Sequence, residues 1–314
     1  MNQNNLKNKI QTLKKKKDVT ILSHYYQRLE IQEIADYLGD SLGLSRTAKE
    51  KANTKYIIFA GVDFMAETAS ILNPNKHILL PNSEACCPMA AFLTDEMVRD
   101  YKAKYPDLPV VTYVNSTAAV KAESDICCTS SNSVKMVKKI MQEFDTETVL
   151  FGPDANLASY IEEYLDVDLI KMPEDGHCIT HSRLNPEDVQ KIKKKYPNAE
   201  LLVHPECTRE VRNLADFIGS TAGMYNRVKK DPLDAGEFLI GTEKGLLDRM
   251  SYDFPDKMFH LAKDEMICYN MKKNTIELIE YILEHLIEKQ FEVKVPPNIA
   301  EKALVPLKKM LRYS

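Results

Sequence analysis

The strongest constraint on how this chain folds is an internal repeat of about ninety residues. Thr94-Asp-Glu-Met-Val-Arg-Asp-Tyr-Lys-Ala-Lys-Tyr-Pro106 and Asn185-Pro-Glu-Asp-Val-Gln-Lys-Ile-Lys-Lys-Lys-Tyr-Pro197 align at an offset of 91. Each reads as a helix with an N-capping residue, acids in its first turn and lysines in its last. The stretch from Asn5 to Lys17 is a looser third copy. Its closing run, Lys14 to Lys17, is expected to be a solvated helix end. Each helix leads into a short apolar strand: Val19 to Ser23, Pro109 to Tyr113 and Glu200 to His204. Polar side chains follow at the strand ends: His24 and Tyr26, Tyr113 and Asn115, His204 and Glu206.

The first and third units match further on. Ile34-Ala-Asp-Tyr-Leu-Gly-Asp-Ser41 returns as Leu214-Ala-Asp-Phe-Ile-Gly-Ser-Thr221 at an offset of 180, which Gly61 and Gly241 share. These glycines close the apolar runs Tyr56 to Ala60 and Glu237 to Ile240, whose counterpart in the middle unit is read as Asp125 to Cys128. Strands alternating with helices at this density indicate parallel α/β layers. The expected fold is α/β, with three αβα domains related by a pseudo-threefold axis and short parallel sheets around a central cavity. The units run 1–88, 89–179 and 180–270. Residues 271–314 form a C-terminal helical segment packing back on the body, beginning with a capped amphipathic helix from Asn274 to Leu283.

Cys87, Cys178 and Cys268 stand 91 and 90 residues apart, each near the end of its unit. Strand ends of repeated βα units share one side, so three such units bring one cysteine each to a common point. Three thiolates suit an iron–sulfur cluster with one iron left open as a Lewis acid. Zinc prefers close pairs such as C-x-x-C, which are missing here. The plain alternative for any one of them is a buried structural cysteine. Cys127 and Cys128 end a buried strand. Cys86 adjoins Cys87 and replaces it only if the loop reorients, and Cys207 is expected to pack beside the site.

Composition narrows the setting. Seven cysteines, an odd number, and a first stretch without an apolar signal core point to reduced thiols in the cytoplasm. The formal charge of −4 gives no reason to expect nucleic acid or a membrane surface as partner.

The ordered motifs resemble a known family, quinolinate synthase, over essentially the whole chain. They are His24-Tyr-Tyr-Gln27, Gly39-Asp-Ser41, Ala85-Cys-Cys-Pro-Met-Ala90, Tyr113-Val-Asn115, Cys128-Thr-Ser-Ser-Asn132, Gly152-Pro-Asp154, Gly176-His-Cys-Ile-Thr-His181, His204-Pro-Glu-Cys207, Gly219-Ser-Thr-Ala-Gly223, Gly241-Thr-Glu-Lys244 and Cys268-Tyr-Asn-Met-Lys272. The resemblance implies one 4Fe–4S cluster per chain at the floor of the cavity. It implies condensation of iminoaspartate with dihydroxyacetone phosphate to quinolinate, phosphate and two waters, on the route to NAD. A functional link to an L-aspartate-oxidising enzyme goes with it. The sequence departs where the family often has a Trp before the second cysteine and a Tyr beside it; here Lys171-Met-Pro-Glu-Asp-Gly-His177 fills the segment, and the chain has no Trp.

That reaction assigns roles. Glu206 is the expected general base, with His204 and His24 as proton carriers or donors to carboxylates. Tyr26 and Tyr113 donate to a carbonyl or enolate oxygen, and Asn115 orients substrate. Ser41, Ser130, Ser220 and Thr221 stand near helix starts, where hydroxyls and backbone N–H groups bind anions; the plain alternative is N-capping. Tyr25 is expected to pack, while His177 and His181 near Cys178 are open between a supporting role and the surface. Two other functions fit a three-cysteine cluster: an iron–sulfur redox or iron sensor, with a cavity free of paired polar residues, or a hydro-lyase acting on another hydroxy acid.

Overall fold

The structure is a computed structural model describing residues 3–50, 53–231, 236–286 and 288–314. Three four-stranded parallel sheets follow one another along the chain. The first holds β1 (Val19–His24), β2 (Tyr37–Gly39), β3 (Tyr56–Ala60) and β4 (His77–Leu79). The second holds β5 (Val110–Tyr113), β6 (Ile126–Cys128), β7 (Leu150–Gly152) and β8 (Ile170–Lys171). The third holds β9 (Glu200–Val203), β10 (Phe217–Ile218), β11 (Glu237–Gly241) and β12 (Met258–Leu261). In all three, the chain's first strand lies between the second and the third, with the fourth beyond the third. The chain therefore reverses direction beside β1, β5 and β9, which opens a crevice at their carboxyl ends.

Parallel strands need crossovers, and helices supply them, covering both faces of each sheet. β1 is buried along its whole length. Its alternation sends Val19 and Ile21 to one apolar cluster and Leu22 to another on the opposite face. The helix caps follow the sequence: Thr94 accepts the Met97 N–H, and Asn185 forms a capping box with Asp188. A second repeated device stitches the sheets: Asp36, Asp125 and Asp216 each accept a backbone N–H, from Ile21, Val110 and Leu201, all at 2.8 Å.

Two features differ from the sequence reading. The middle unit's counterpart of β3 and β11 is β7, not the run ending at Cys128; that run is β6, the counterpart of β2 and β10. The strands β2, β7 and β10 have only two or three residues, too short to stand out from their flanks. The C-terminal region also holds a second helix that the sequence reading did not delimit. Ile276–Glu284, capped by Thr275, packs with the helix Gln3–Lys16 on one face of the first sheet. Between the two helices, backbone bonds from Leu80 to Phe291 and from Val293 to Ile78 cover the edge of β4. Pro297–Tyr313 then buries Ala303, Leu307 and Met310 in a cluster shared by the first and second sheets. No helix among the described residues is long and apolar enough to cross a membrane.

Candidate active site

His24, Tyr113 and His204 stand at the carboxyl ends of β1, β5 and β9, and Tyr26, Asn115 and Glu206 lie two residues further on. All six line one pocket, together with Cys87, Cys178, Cys268, Ser41, Ser130 and Thr221. Its empty space, the mouth included, is about 690 Å³. Every residue expected at the site is here except Ser220. The Ser220 hydroxyl accepts the Gly223 N–H at 3.2 Å, so it caps the helix Thr221–Lys230 and does not line the pocket.

The two strand-end histidines are locally alike. His24 Nδ1 accepts the Tyr26 N–H at 3.1 Å, and His204 Nδ1 accepts the Glu206 N–H at 3.3 Å. Both rings are buried, and burial, assisted for His24 by the Lys272 charge, lowers each to about 3. A neutral imidazole that accepts at Nδ1 carries its proton on Nε2. Each ring is therefore a neutral donor at neutral pH.

Glu206 is 3% exposed and densely bonded. Burial opposes its charge, but the His204 and His181 rings and hydrogen bonds donated by His181 and Tyr113 outweigh it and hold the carboxyl at about 2. Tyr113 Oη donates to Oε1 at 2.6 Å, and His181 Nδ1 lies 2.7 Å from Oε2. His181 Nε2 is 2.8 Å from Thr242 Oγ1, which is 2.7 Å from Tyr26 Oη; Thr221 Oγ1 donates to that same oxygen at 3.1 Å. Since the carboxylate only accepts, the chain has a direction: Thr221 to Tyr26 to Thr242 to His181 to Glu206. Burial raises both Tyr26 and Tyr113 well above the ordinary phenol value, so both keep their protons.

The sequence left His181 open between a supporting role and the surface, and gave Thr242 no role. His181 is buried, stacked on His204 with centroids 4.6 Å apart, whereas His177 stays outside the pocket against Phe92. The available signal was that His181 follows Cys178 by three residues, one turn of a tight loop. Thr242 carries its signal in the repeat, directly after Gly241. Tyr25 packs, stacked on Tyr225 at 5.5 Å.

The three repeat cysteines share a local design. Backbone N–H groups of Met89 and Ala90 near Cys87, of His181 near Cys178, and of Asn270 and Met271 near Cys268 favour each thiolate. Burial nonetheless pushes all three thiols up. N–H donors favour the thiolate, and a bound cation would offset its burial, so the three sulfurs could hold a metal. One sulfur, one imidazole nitrogen and one carboxylate oxygen of Cys178, His181 and Glu206 also lie within 4.8 Å of each other. There, however, His181 already bonds both neighbours, at 2.7 Å to Glu206 and 3.1 Å to Cys178. Cys86 is exposed outside the pocket, and Cys127, Cys128 and Cys207 are buried away from it.

Two further details bear on ligands. Asn115 Oδ1 is buried, lacks a hydrogen-bond partner and belongs to a residue of the pocket wall. No Lys or Arg is among the residues lining the pocket.

Residues 8–312 match the family described as quinolinate synthetase A protein. The chain is 48% identical over 311 residues to the quinolinate synthase of Methanothermobacter thermautotrophicus, covering 99% of both chains. It is 46% identical to that of Thermotoga maritima, over 95% of this chain and 96% of the relative. Against that of Pyrococcus furiosus the identity is 44%, over 98% of each.

Proposed function

The chain belongs to the quinolinate synthetase A family, and from that premise we propose that it condenses iminoaspartate with dihydroxyacetone phosphate, releasing quinolinate, phosphate and two waters. The observation that carries this reading is a single pocket combining three equivalent cysteines with a hydrogen-bonded carboxylate and two neutral imidazole donors. Such paired polar groups are what the enzyme reading requires and what a sensor's cavity does without. In this reading the units 1–88, 89–179 and 180–270 are three pseudo-threefold-related domains about the pocket, with 271–314 as a C-terminal brace. The enzyme works in the cytoplasm on the route to NAD, fed by an enzyme that oxidises L-aspartate.

Cys87, Cys178 and Cys268 would hold one 4Fe–4S cluster. Three N–H-supported sulfurs at one pocket fit that group. When bound, it supplies an open iron acting as a Lewis acid.

The protein's own groups do the rest. Glu206, ionised and buried, takes the proton from the carbon of iminoaspartate that becomes nucleophilic. Run in reverse, the His181–Thr242–Tyr26–Thr221 chain gives that proton a path away from the carboxyl. His24 and His204 present Nε2–H to substrate oxygens, and Tyr113 releases its bond to Glu206 as the carboxyl becomes protonated. Ser41, Ser130 and Thr221 stand at or near the starts of the helices Ser41–Glu50, Ser133–Phe144 and Thr221–Lys230. With no Lys or Arg in the lining, phosphate and carboxylates are held by these hydroxyls, helix N-termini and imidazoles. The unpaired Asn115 oxygen accepts from the substrate's N–H.

The test is anaerobic. Chain reconstituted with iron and sulfide is given dihydroxyacetone phosphate and iminoaspartate generated in place from L-aspartate. Quinolinate formed with equimolar phosphate supports the reading, and a reconstituted protein that makes none refutes it.

A further inference from the structure

The mechanism leaves unused a set of three acids repeated with the cysteines. Asp63, Asp154 and Glu243 each stand just beyond the third strand of a sheet, β3, β7 and β11. Asp63 Oδ1 accepts the Cys87 N–H at 3.1 Å, and Glu243 Oε1 accepts the Cys268 N–H at 3.2 Å. Asp154 stands at the equivalent place for Cys178, but its Oδ1 accepts the Leu157 N–H at 2.7 Å and its Oδ2 has no partner. A backbone bond accompanies each acid. The N–H groups of Asp63, Ala155 and Lys244 donate to the carbonyls of Ala85, Gly176 and Met266, at 2.9, 2.7 and 2.9 Å. Each of those carbonyls lies two residues before its cysteine, so Cys87 and Cys268 are gripped on both sides of the peptide and Cys178 on one. None of the three acids lines the pocket.

We propose that Asp63 and Glu243 are positioning carboxylates that hold Cys87 and Cys268 in ligating geometry. This rests on the reading that the repeat cysteines bind the cluster. The reasoning is chemical. Glu243 is fully buried, and burying a carboxylate is costly unless hydrogen bonds compensate. Packing alone is met by an apolar residue, whereas gripping a peptide N–H requires an acceptor. A cluster with three protein ligands also has no spare attachment, so rotation of any one cysteine backbone loosens it. Glu243 extends the grip: its Oε1 pairs with Lys272 Nζ at 2.8 Å, and that Nζ donates to the Tyr26 carbonyl at 2.6 Å. The third cysteine's anchor is thus joined to the loop carrying His24 and Tyr26.

The experiment measures cluster retention. Wild type, Asp63→Leu, Asp63→Asn and Asp125→Leu are reconstituted anaerobically with iron and sulfide. Each is then mixed with a ferrous chelator, and iron release is followed beside the visible absorbance. Melting of the metal-free chains reports folding. Asp63→Leu is expected to release iron about 10–100-fold faster, the scale for losing a group that orients a metal ligand. Asp63→Asn keeps the acceptor and should stay close to wild type. Asp125 accepts a backbone N–H in the same way but at the start of β5, so Asp125→Leu should leave release unchanged. Should Asp63→Leu not fold, Glu243→Met, which removes the acceptor, carries the test, with release faster by about tenfold. Wild type holding its cluster while these variants hold it equally well overturns the proposal, as does Asp125→Leu leaking as fast as Asp63→Leu. Wild type that takes up no cluster sinks the cluster reading, and the clamp with it.

Discussion

Acidification of the metal-free chain tests the pocket's electrostatics through two residues. His24 and His204 are held to about 3 when folded, against an ordinary value near 6.5. Their folded values are depressed, so below pH 6.5 the unfolded chain binds protons that the folded chain refuses. Stability is therefore complete above about 6.5 and is lost as pH falls towards 3. Between pH 7.5 and 5.5 each ring removes about 1.4 kcal/mol by linkage, about 2.7 kcal/mol for the pair. Over that window the figure hardly changes for any folded value below 4.5, because the folded ring stays neutral throughout. Asn at each position retains an acceptor near Nδ1 for the i+2 N–H while removing the titration. The assay is anaerobic urea unfolding of wild type and of His24→Asn/His204→Asn at both pH values. The free-energy gap between them should shift by about 2.7 kcal/mol in favour of the variant at pH 5.5. An unchanged gap would mean that the rings are solvated or ion-paired when folded, and the argument for two neutral donors would fail.

Further tests separate the other roles. Cys87→Ser, Cys178→Ser and Cys268→Ser should each abolish cluster binding in iron and sulfide analysis, while Cys86, Cys127 and Cys128 variants keep it. Glu206→Gln should lower turnover roughly a hundredfold or more with the cluster retained, as measured by quinolinate formation. Arg212→Met should cost about 1–3 kcal/mol in urea unfolding, since it leaves backbone carbonyls without their donor. That side chain is fully buried, pairs with Glu163 at 2.6 Å and donates to the Cys207 and Asn156 carbonyls. Gly176→Ala should shift the Cys178 loop and weaken iron retention, because a Cβ there would lie 1.9 Å from the Pro153 carbonyl oxygen.

Much of the site was legible because it is written in the repeat. Equal spacing places equivalent residues at equivalent strand ends, so His24, Tyr113 and His204, and the cysteines at 87, 178 and 268, could be grouped without coordinates. The family motifs then attached chemistry to those positions. A hydroxyl before a helix reads the same whether it caps the helix or binds an anion, so the sequence could not place Ser220; its bond to Gly223 shows the capping role. The strand β7 was missed because the three residues Leu150–Gly152 carry too little pattern, and the equally short run before Thr129 drew the assignment.

The sequence by itself determined the period, the parallel α/β class and the positions that meet at one edge, because each of these depends on local pattern repeated at a fixed interval. Only the tertiary structure decided which neighbours those positions acquire. His181 becomes part of the site because a loop of the second unit crosses to Glu206 and Thr242 of the third, and nothing beside His181 in sequence specifies that crossing. The same holds for Asp63 and Glu243, whose cysteine partners lie 24 and 25 residues ahead. A side chain's polarity is local, but its hydrogen-bond partner and its dielectric surroundings are set by whatever the fold brings against it.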